Sequence, residues 1–498
     1  MNPEFERDLN ITRRQFFGKT AGGIGLAALA SLLDEESAQA SNSPFAKPEG
    51  VSGGAAGGRG GAKMMGGGVG KAKRVVVLWQ GGAPSHVDLF DYKPGLEKLR
   101  GTDLPASVRK GTRLSTMTSG LKTFPILPAH KPFKAYGKSG MMLSELLPHI
   151  GSLADDICLI NSMHTEAVNH APGVTFLLTG SQVPGRPSMG AWATYGLGSM
   201  SKDLPSFVVM TSTDVGRTCG QLFYDYYWGS GFLPSKYQGV RFRSEGEPVL
   251  YLKNPEGMTD GLRRKQLDDI GALNAQHLTE YGDPEIETRI SQYELAYKMQ
   301  ASVPDLLDID KEPQHVLDAY GPDVKRPGSY ARNCLLARRL LERGVRFVQL
   351  MHSGWDQHGN LPTQLAQQCH DTDQPSAALI KDLKERGLLD DTIVLWASEF
   401  GRTPFVQGDM TKPTYGRDHL GSVYSLWACG GGFKGGYVHG ESDDYCYNPA
   451  KDPVHVHDLQ ATILHLLGID HTKLTYRFQG RDFRLTDVFG SVEKKLIT

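Results

Sequence analysis

The sequence predicts an α/β protein, with one large domain built on a mainly parallel sheet, helices on both faces and an insertion. Three observations predict it. Apolar runs such as residues 346–351 and 392–397 lack polar alternation and read as strands buried on both faces. Helical stretches separate such runs, and a strand–helix–strand rhythm puts successive strands parallel. The runs also end in polar clusters, where open α/β sheets bind their ligands.

In chain order, residues 74–79 form the first strand and residues 80–84 the turn after it. Residues 157–160 and 207–210 are further strands. Residues 215–265, rich in aromatics, glycine and turn formers, read as an insertion or lid outside the central sheet. Residues 283–300 carry a helical pattern, with Ile286, Ile290, Leu295 and Met299 near one face. A second amphipathic helix covers residues 330–344, and its terminal Gly344 suits a C-cap. It feeds the strand at 346–351. A long helix over 361–386 leads to the strand at 392–397. Residues 423–428 make another strand, and 456–467 a final helix.

Charge and composition exclude some classes. The 498-residue chain has a formal net charge of -1 and no basic run, so nothing in its charge favours nucleic acid. Thr12-Arg13-Arg14-Gln-Phe-Phe-Gly-Lys19, a mild apolar stretch and Ala38-Gln-Ala40 together resemble a bacterial twin-arginine export signal. The apolar stretch is too short and glycine-rich for a stable membrane span. The signal is placed at 1–40, a glycine-rich linker at 41–73 and the folded domain at 74–498. The expected location is periplasmic or extracellular, reached through the twin-arginine export machinery. None of the six cysteines forms a C-x-x-C pair, and sequence alone assigns no bridge.

The chemistry sits in short patches. His352-Ser-Gly-Trp-Asp356-Gln-His358 and Ser398-Glu399-Phe-Gly-Arg402 each follow an apolar strand. Gly416-Arg417-Asp418-His419 is a polar loop. Carboxylates and imidazoles arriving at strand ends suit a divalent metal: zinc or manganese first, calcium or magnesium next. Asp356, His358 and His419 are the expected ligands, with Asp418 either a ligand or a group that orients His419. Glu399 has no packing reason to follow an apolar strand. It is expected at a second, partial site with His164, His170 or Thr165. Asp356 could instead cap the next helix, and Glu399 could pair with Arg402. Met163-His164-Thr165-Glu-Ala-Val-Asn169-His170 sets a hydroxyl beside two imidazoles, so Thr165 reads equally as a nucleophile or a helix cap. Arg402 is expected to clamp an anionic substrate group.

This order of strands and loops resembles the alkaline phosphatase superfamily, which includes phosphatases, nucleotide pyrophosphatases and sulfatases. Asp356 and His358 resemble its Asp…His pair, and His419 its last histidine. Gln80 stands where the first metal-binding Asp is expected, and Glu399-Phe400 replaces Asp-His. Cys334-Leu-Leu-Ala-Arg338 departs from the formylglycine signature, which disfavours an ordinary sulfatase. Gly81-Gly-Ala-Pro-Ser-His-Val-Asp-Leu-Phe-Asp91, Tyr293-Glu-Leu-Ala-Tyr-Lys-Met-Gln300 and His457-Asp-Leu-Gln-Ala-Thr-Ile-Leu464 extend the likeness along the chain. With the site patches, they identify it as similar to the exported bacterial family catalogued as domain of unknown function number fifteen-oh-one. That resemblance implies an alkaline-phosphatase-like fold. The function expected is metal-dependent hydrolysis of a small anionic ester or a sulfated or phosphorylated glycan. The alternative is a non-catalytic exported binding protein that keeps the fold.

Overall fold

A computed structural model describes residues 70–212, 223–243, 248–249 and 252–498. The expected signal, nearly all of the linker, Cys219 and parts of the 215–265 stretch lie outside the described residues.

The central sheet has nine strands among those residues. They are β1 (Arg74–Gly81), β2 (Ile157–His164), β3 (Phe207–Thr211), β4 (Val240–Phe242), β5 (Phe347–Ser353), β6 (Thr392–Ala397), β7 (Tyr424–Cys429), β8 (Tyr437–His439) and β9 (Val454–His455). Their order is β8-β2-β7-β6-β1-β5-β3-β4, with β9 also beside β2. β1 lies between β5 and β6, parallel to both. Only β7 runs antiparallel to its neighbours. The carboxyl ends of β1, β2, β3, β5 and β6 therefore share one edge, which is where the polar patches emerge.

The longer helices are α1 (His170–Thr179), α2 (Met189–Leu197), α3 (Asp260–Tyr281), α4 (Pro284–Leu307), α5 (Tyr330–Glu342), α6 (Leu361–Glu385) and α7 (Val456–Leu466). Alternate residues of β1 serve opposite cores. Val76 and Leu78 pack with α5 and α6, whereas Val75, Val77 and Trp79 pack with α1, α2 and α7. Helices thus cover both faces, as the unbroken apolar strands require. Gly344 has the positive φ expected after α5.

Three expectations change. The helix expected at 283–300 runs on to Leu307, because Val303 and Leu306 belong to the core. The 215–265 stretch does not stand wholly apart from the sheet: Val240–Phe242 pairs in parallel with β3 and forms its edge. Three residues are too few for a period-2 pattern to show. β2 extends to His164, so Thr165 begins the loop and α1 starts five residues later. The described cysteines are free and buried. No helix among the described residues is long and apolar enough to cross a membrane.

Candidate metal centre

Asp356 sits in the loop after β5. Gly82, after β1, has φ +109, and a Cβ there would lie 2.5 Å from the Asp356 nitrogen. Only glycine lets the two strand-end loops meet this closely. His358 is held likewise, since a Cβ on Gly416 would fall 2.1 Å from its carbonyl carbon. His419 pairs with Arg402 in a two-residue antiparallel ribbon, which sets both beside Asp356. His170 is the first residue of α1. Pro172 falls in the first helical turn, where an N–H has no intrahelical partner to lose.

These segments bring one ligand atom each from His170, Asp356, His358 and His419 within 4.8 Å of one another. His358 Nε2 lies 2.8 Å and His419 Nε2 3.3 Å from Asp356 Oδ1. His170 Nε2 lies 3.2 Å from the same oxygen, at ion-pair distance but without hydrogen-bond geometry. His358 Nε2 and His419 Nε2 face each other at 3.0 Å. Each ring is held from behind at Nδ1. His170 meets Glu399 Oε1 at 2.6 Å, His358 meets Gln407 Oε1 at 2.7 Å and His419 meets the Val168 carbonyl at 2.9 Å. Three acceptors at Nδ1 make those nitrogens the donors and aim three Nε2 atoms at one point, as lone pairs once His170 gives up its Nε2 proton.

This arrangement fits a cation. With their Nδ1 protons spent, neutral His358 and His419 face each other with Nε2 lone pairs that cannot bond one another, and a cation between them resolves this. Tetrahedral ligands about 2.0–2.1 Å from a small metal sit about 3.3 Å apart, close to the spacings here. The group can hold a metal ion, and no other such group occurs among the described residues. His170 and His358 keep 20% and 23% of their side chains exposed, while the His170 Nε2 atom is buried.

The electrostatics follow from burial and neighbours. Burial alone would raise the Asp356 carboxyl, but the Arg402 charge and the three imidazoles hold it far below the usual carboxylate range. Burial works against charge on His170 too, yet the Asp356 and Glu399 carboxylates push it up to about 9 in the metal-free protein. His419 is brought down to about 4, first by burial and further by the Arg402 and His170 charges.

The remaining expected site residues lie outside this group. Arg402 is 1% exposed and is not free to clamp a substrate. Its nitrogens bond the Ala83, Arg417, Gly82 and Trp355 carbonyls and, at 2.5 Å, Asp356 Oδ1. Glu399 faces the back of His170 and also accepts from the Gly82 nitrogen at 2.9 Å and Ser398 Oγ at 2.8 Å. Glu399 thus backs His170 and lies outside the four-residue group. Asp418 accepts from the His419 nitrogen and from Ser115 and Thr118, with His358 Nδ1 4.0 Å away. The Thr165 hydroxyl accepts from the Ala167 nitrogen at 3.3 Å in a local turn. His164 lies beside His455, ring centroids 5.0 Å apart.

Two positions that resemblance marks for ligands carry none. Gln80 accepts from Trp355 Nε1 at 2.9 Å and donates to the Tyr330 hydroxyl at 3.2 Å, inside the core. The Phe400 ring packs on His170 and His419, centroids 5.1 and 4.7 Å away, as an apolar wall. Gln407 was not read from the sequence; its contact with His358 spans 49 positions and follows no motif.

Fold and site together define an α/β protein with a histidine- and aspartate-lined centre able to hold a metal. The profile described as "Protein of unknown function (DUF1501)" matches residues 72–497, and the chain belongs to that family. A search of curated proteins finds no match. Among solved structures, a sulfatase from Pseudoalteromonas sp. is similar at 14% identity and a TM-score of 0.33, over 80% of this chain and 68% of that one. A protein in the alkaline phosphatase superfamily from Vibrio parahaemolyticus is similar at 12% identity and a TM-score of 0.32, over 80% and 67%. Alkaline phosphatase from the Antarctic bacterium TAB5 is similar at 10% identity and a TM-score of 0.29, over 80% and 98%. Likeness at this level decides no chemistry.

Proposed function

We propose that the protein is an exported, metal-dependent hydrolase of phosphate or sulfate esters. The observation that carries the reading is the convergence of three Nε2 atoms on Asp356 Oδ1, with the His170 and His358 rings part-exposed. Four protein ligands fill a tetrahedral site, so in this reading the metal takes water or substrate by expanding to five ligands. The three-imidazole, one-carboxylate donor set suits zinc or manganese better than calcium or magnesium, which prefer oxygen. When bound, the metal supplies Lewis acidity that activates a water and offsets charge on an ester oxygen.

The protein's own residues do the rest. Glu399 and the Val168 carbonyl hold the Nδ1 protons of His170 and His419, which keeps Nε2 available. Arg402 fixes Asp356 in its ionised form. Phe400 keeps water from the back of the imidazoles. Thr165 lies outside the ligand group, which favours water over a protein alkoxide as the attacking group. A sulfated or phosphorylated glycan is the finer substrate reading. Export rests on residues 1–40, and residues 74–498 make up the hydrolase domain.

The test is turnover of p-nitrophenyl phosphate and p-nitrophenyl sulfate by metal-loaded protein, beside Asp356→Ala. Metal-dependent release from either ester, abolished in the variant, supports the reading. A metal-loaded wild type inert toward both and toward sulfated glycans contradicts it. The alternative is a non-catalytic binding protein that keeps one metal. Gln80 and Phe400 favour it, because they leave a single ligand set where the superfamily resemblance implies more.

A further inference from the structure

We propose that residues 104–144 form a docking surface beside the metal centre for a sulfated or phosphorylated polysaccharide, so that the ester reaches the metal as one unit of a long polyanion. This rests on the hydrolase reading of that centre, and it adds the size of the substrate and the residues that hold it.

The segment joins β1 to β2 and lies wholly within the described residues. It holds seven lysines and arginines and no aspartate or glutamate, in a chain whose formal net charge is -1. The cations are spaced along it and make no run. Lys110, Arg113 and Lys122 are exposed and enter no ion pair or side-chain hydrogen bond among the described residues. Arg109 is spent on the Leu104 carbonyl and the Phe124 ring. Lys131 meets Glu145 at 3.8 Å. Unanswered like charges on one loop repel one another, and a bound polyanion relieves that repulsion.

The same loop is fastened to the metal centre. Ser115 Oγ donates to Asp418 Oδ2 at 2.6 Å, and Thr118 Oγ1 donates to the same oxygen. The other Asp418 oxygen accepts from the His419 nitrogen and lies 4.0 Å from His358 Nδ1. Met117 Sδ lies 4.0 Å from Gln407 Nε2, and Gln407 Oε1 holds His358 at 2.7 Å. Arg113 and Lys122 flank this fastened stretch, which puts their charge on the side of His358, a part-exposed ligand.

The polyanion is a polysaccharide rather than a nucleic acid. Single-stranded nucleic acids stack their bases on exposed rings. The rings of this segment, Phe124, Phe133 and Tyr136, are buried or half-buried. Its exposed apolar side chains are Met117 and Leu121, at 49% and 43%, which offer no ring face. Spaced cations without a stacking platform suit a chain of charged sugars.

The test is fluorescence anisotropy with labelled dextran sulfate and dextran phosphate on the full chain in EDTA, which removes the metal as an anion site. Binding is read without turnover, so the ester assay alone decides the hydrolase reading and the binding results alone decide the docking surface. The expected result is saturable binding of at least one labelled polymer, weakening as salt rises, with unmodified dextran inert. A Lys110→Gln, Arg113→Gln, Lys122→Gln triple variant should bind about tenfold or more weakly. A Lys202→Gln, Lys265→Gln, Lys381→Gln variant has the same net charge and should bind like wild type. All six side chains are exposed, so neither variant should disturb the fold. No saturable binding of either polymer overturns the proposal, as does an equal effect of the two variants. Tighter binding of oligodeoxythymidylate of matched charge overturns the choice of polysaccharide.

Discussion

Two polar clusters sit at the carboxyl ends of the same strands, and they differ in how their atoms are satisfied. In the first, Asp88 and Arg417 form a two-pronged ion pair at 2.7 and 3.1 Å, both fully buried. The remaining Arg417 donors bond the Leu127, Thr403 and Pro128 carbonyls. Asp88 also takes Ser85 and the His130 nitrogen. Nothing is left over for a ligand. In the second, His170, His358 and His419 turn three Nε2 atoms toward one carboxylate oxygen, and the His170 and His358 rings stay part-exposed. Completed polar networks hold loops in place, and incomplete ones that converge wait for a partner.

The largest expected effect comes from breaking the completed cluster. Asp88→Ala leaves the Arg417 charge buried alone and should cost about 3–5 kcal/mol of stability. Denaturant unfolding reads this, while metal per folded molecule stays unchanged. A mild stability loss accompanied by loss of metal would reverse the roles assigned to the two clusters.

Glu399→Gln sharpens the other side. It changes the group that holds His170 at Nδ1, so metal affinity should fall about 10–100-fold with the fold retained. Competition against a chromophoric chelator measures it, and an unchanged affinity would remove Glu399 from the site. Gln80→Leu tests whether that position is scaffolding. It strips Trp355 Nε1 of its acceptor and should cost about 1–3 kcal/mol, with metal affinity unaltered.

The last test is in pH. His170 in the metal-free protein is pushed up to about 9, against burial, by Asp356 and Glu399. Its ring is therefore protonated at neutral pH, and a metal must displace that proton. Affinity should rise as pH climbs toward 9, by up to about tenfold per unit, and flatten above it. Calorimetry in buffers of different ionisation enthalpy should detect the proton released. A flat profile between pH 7 and 9 would contradict the assignment of His170 as a ligand.

Much of this was legible in the sequence because strand ends advertise themselves. Asp356 and Glu399 follow apolar runs that leave acids no packing role, and β1, β5 and β6 carry unbroken hydrophobic strings. Direction was not legible. Residue type showed Glu399 and Arg402 near the site, but only the tertiary fold turns one behind His170 and commits the other to four carbonyls. Phe400 and Gln80 show the same limit: their neighbours along the chain imply ligands, and packing puts a ring and a core amide there instead. Gln407 carries no local signal, and β4 is too short to display a period.

The most direct test of the central claim is the metal content of the protein purified from its native host beside a double Asp356→Ala, His419→Ala variant. The account predicts one equivalent of a transition metal in the wild type and none in the folded variant. A wild type without metal, or a folded variant that keeps its metal, would contradict it.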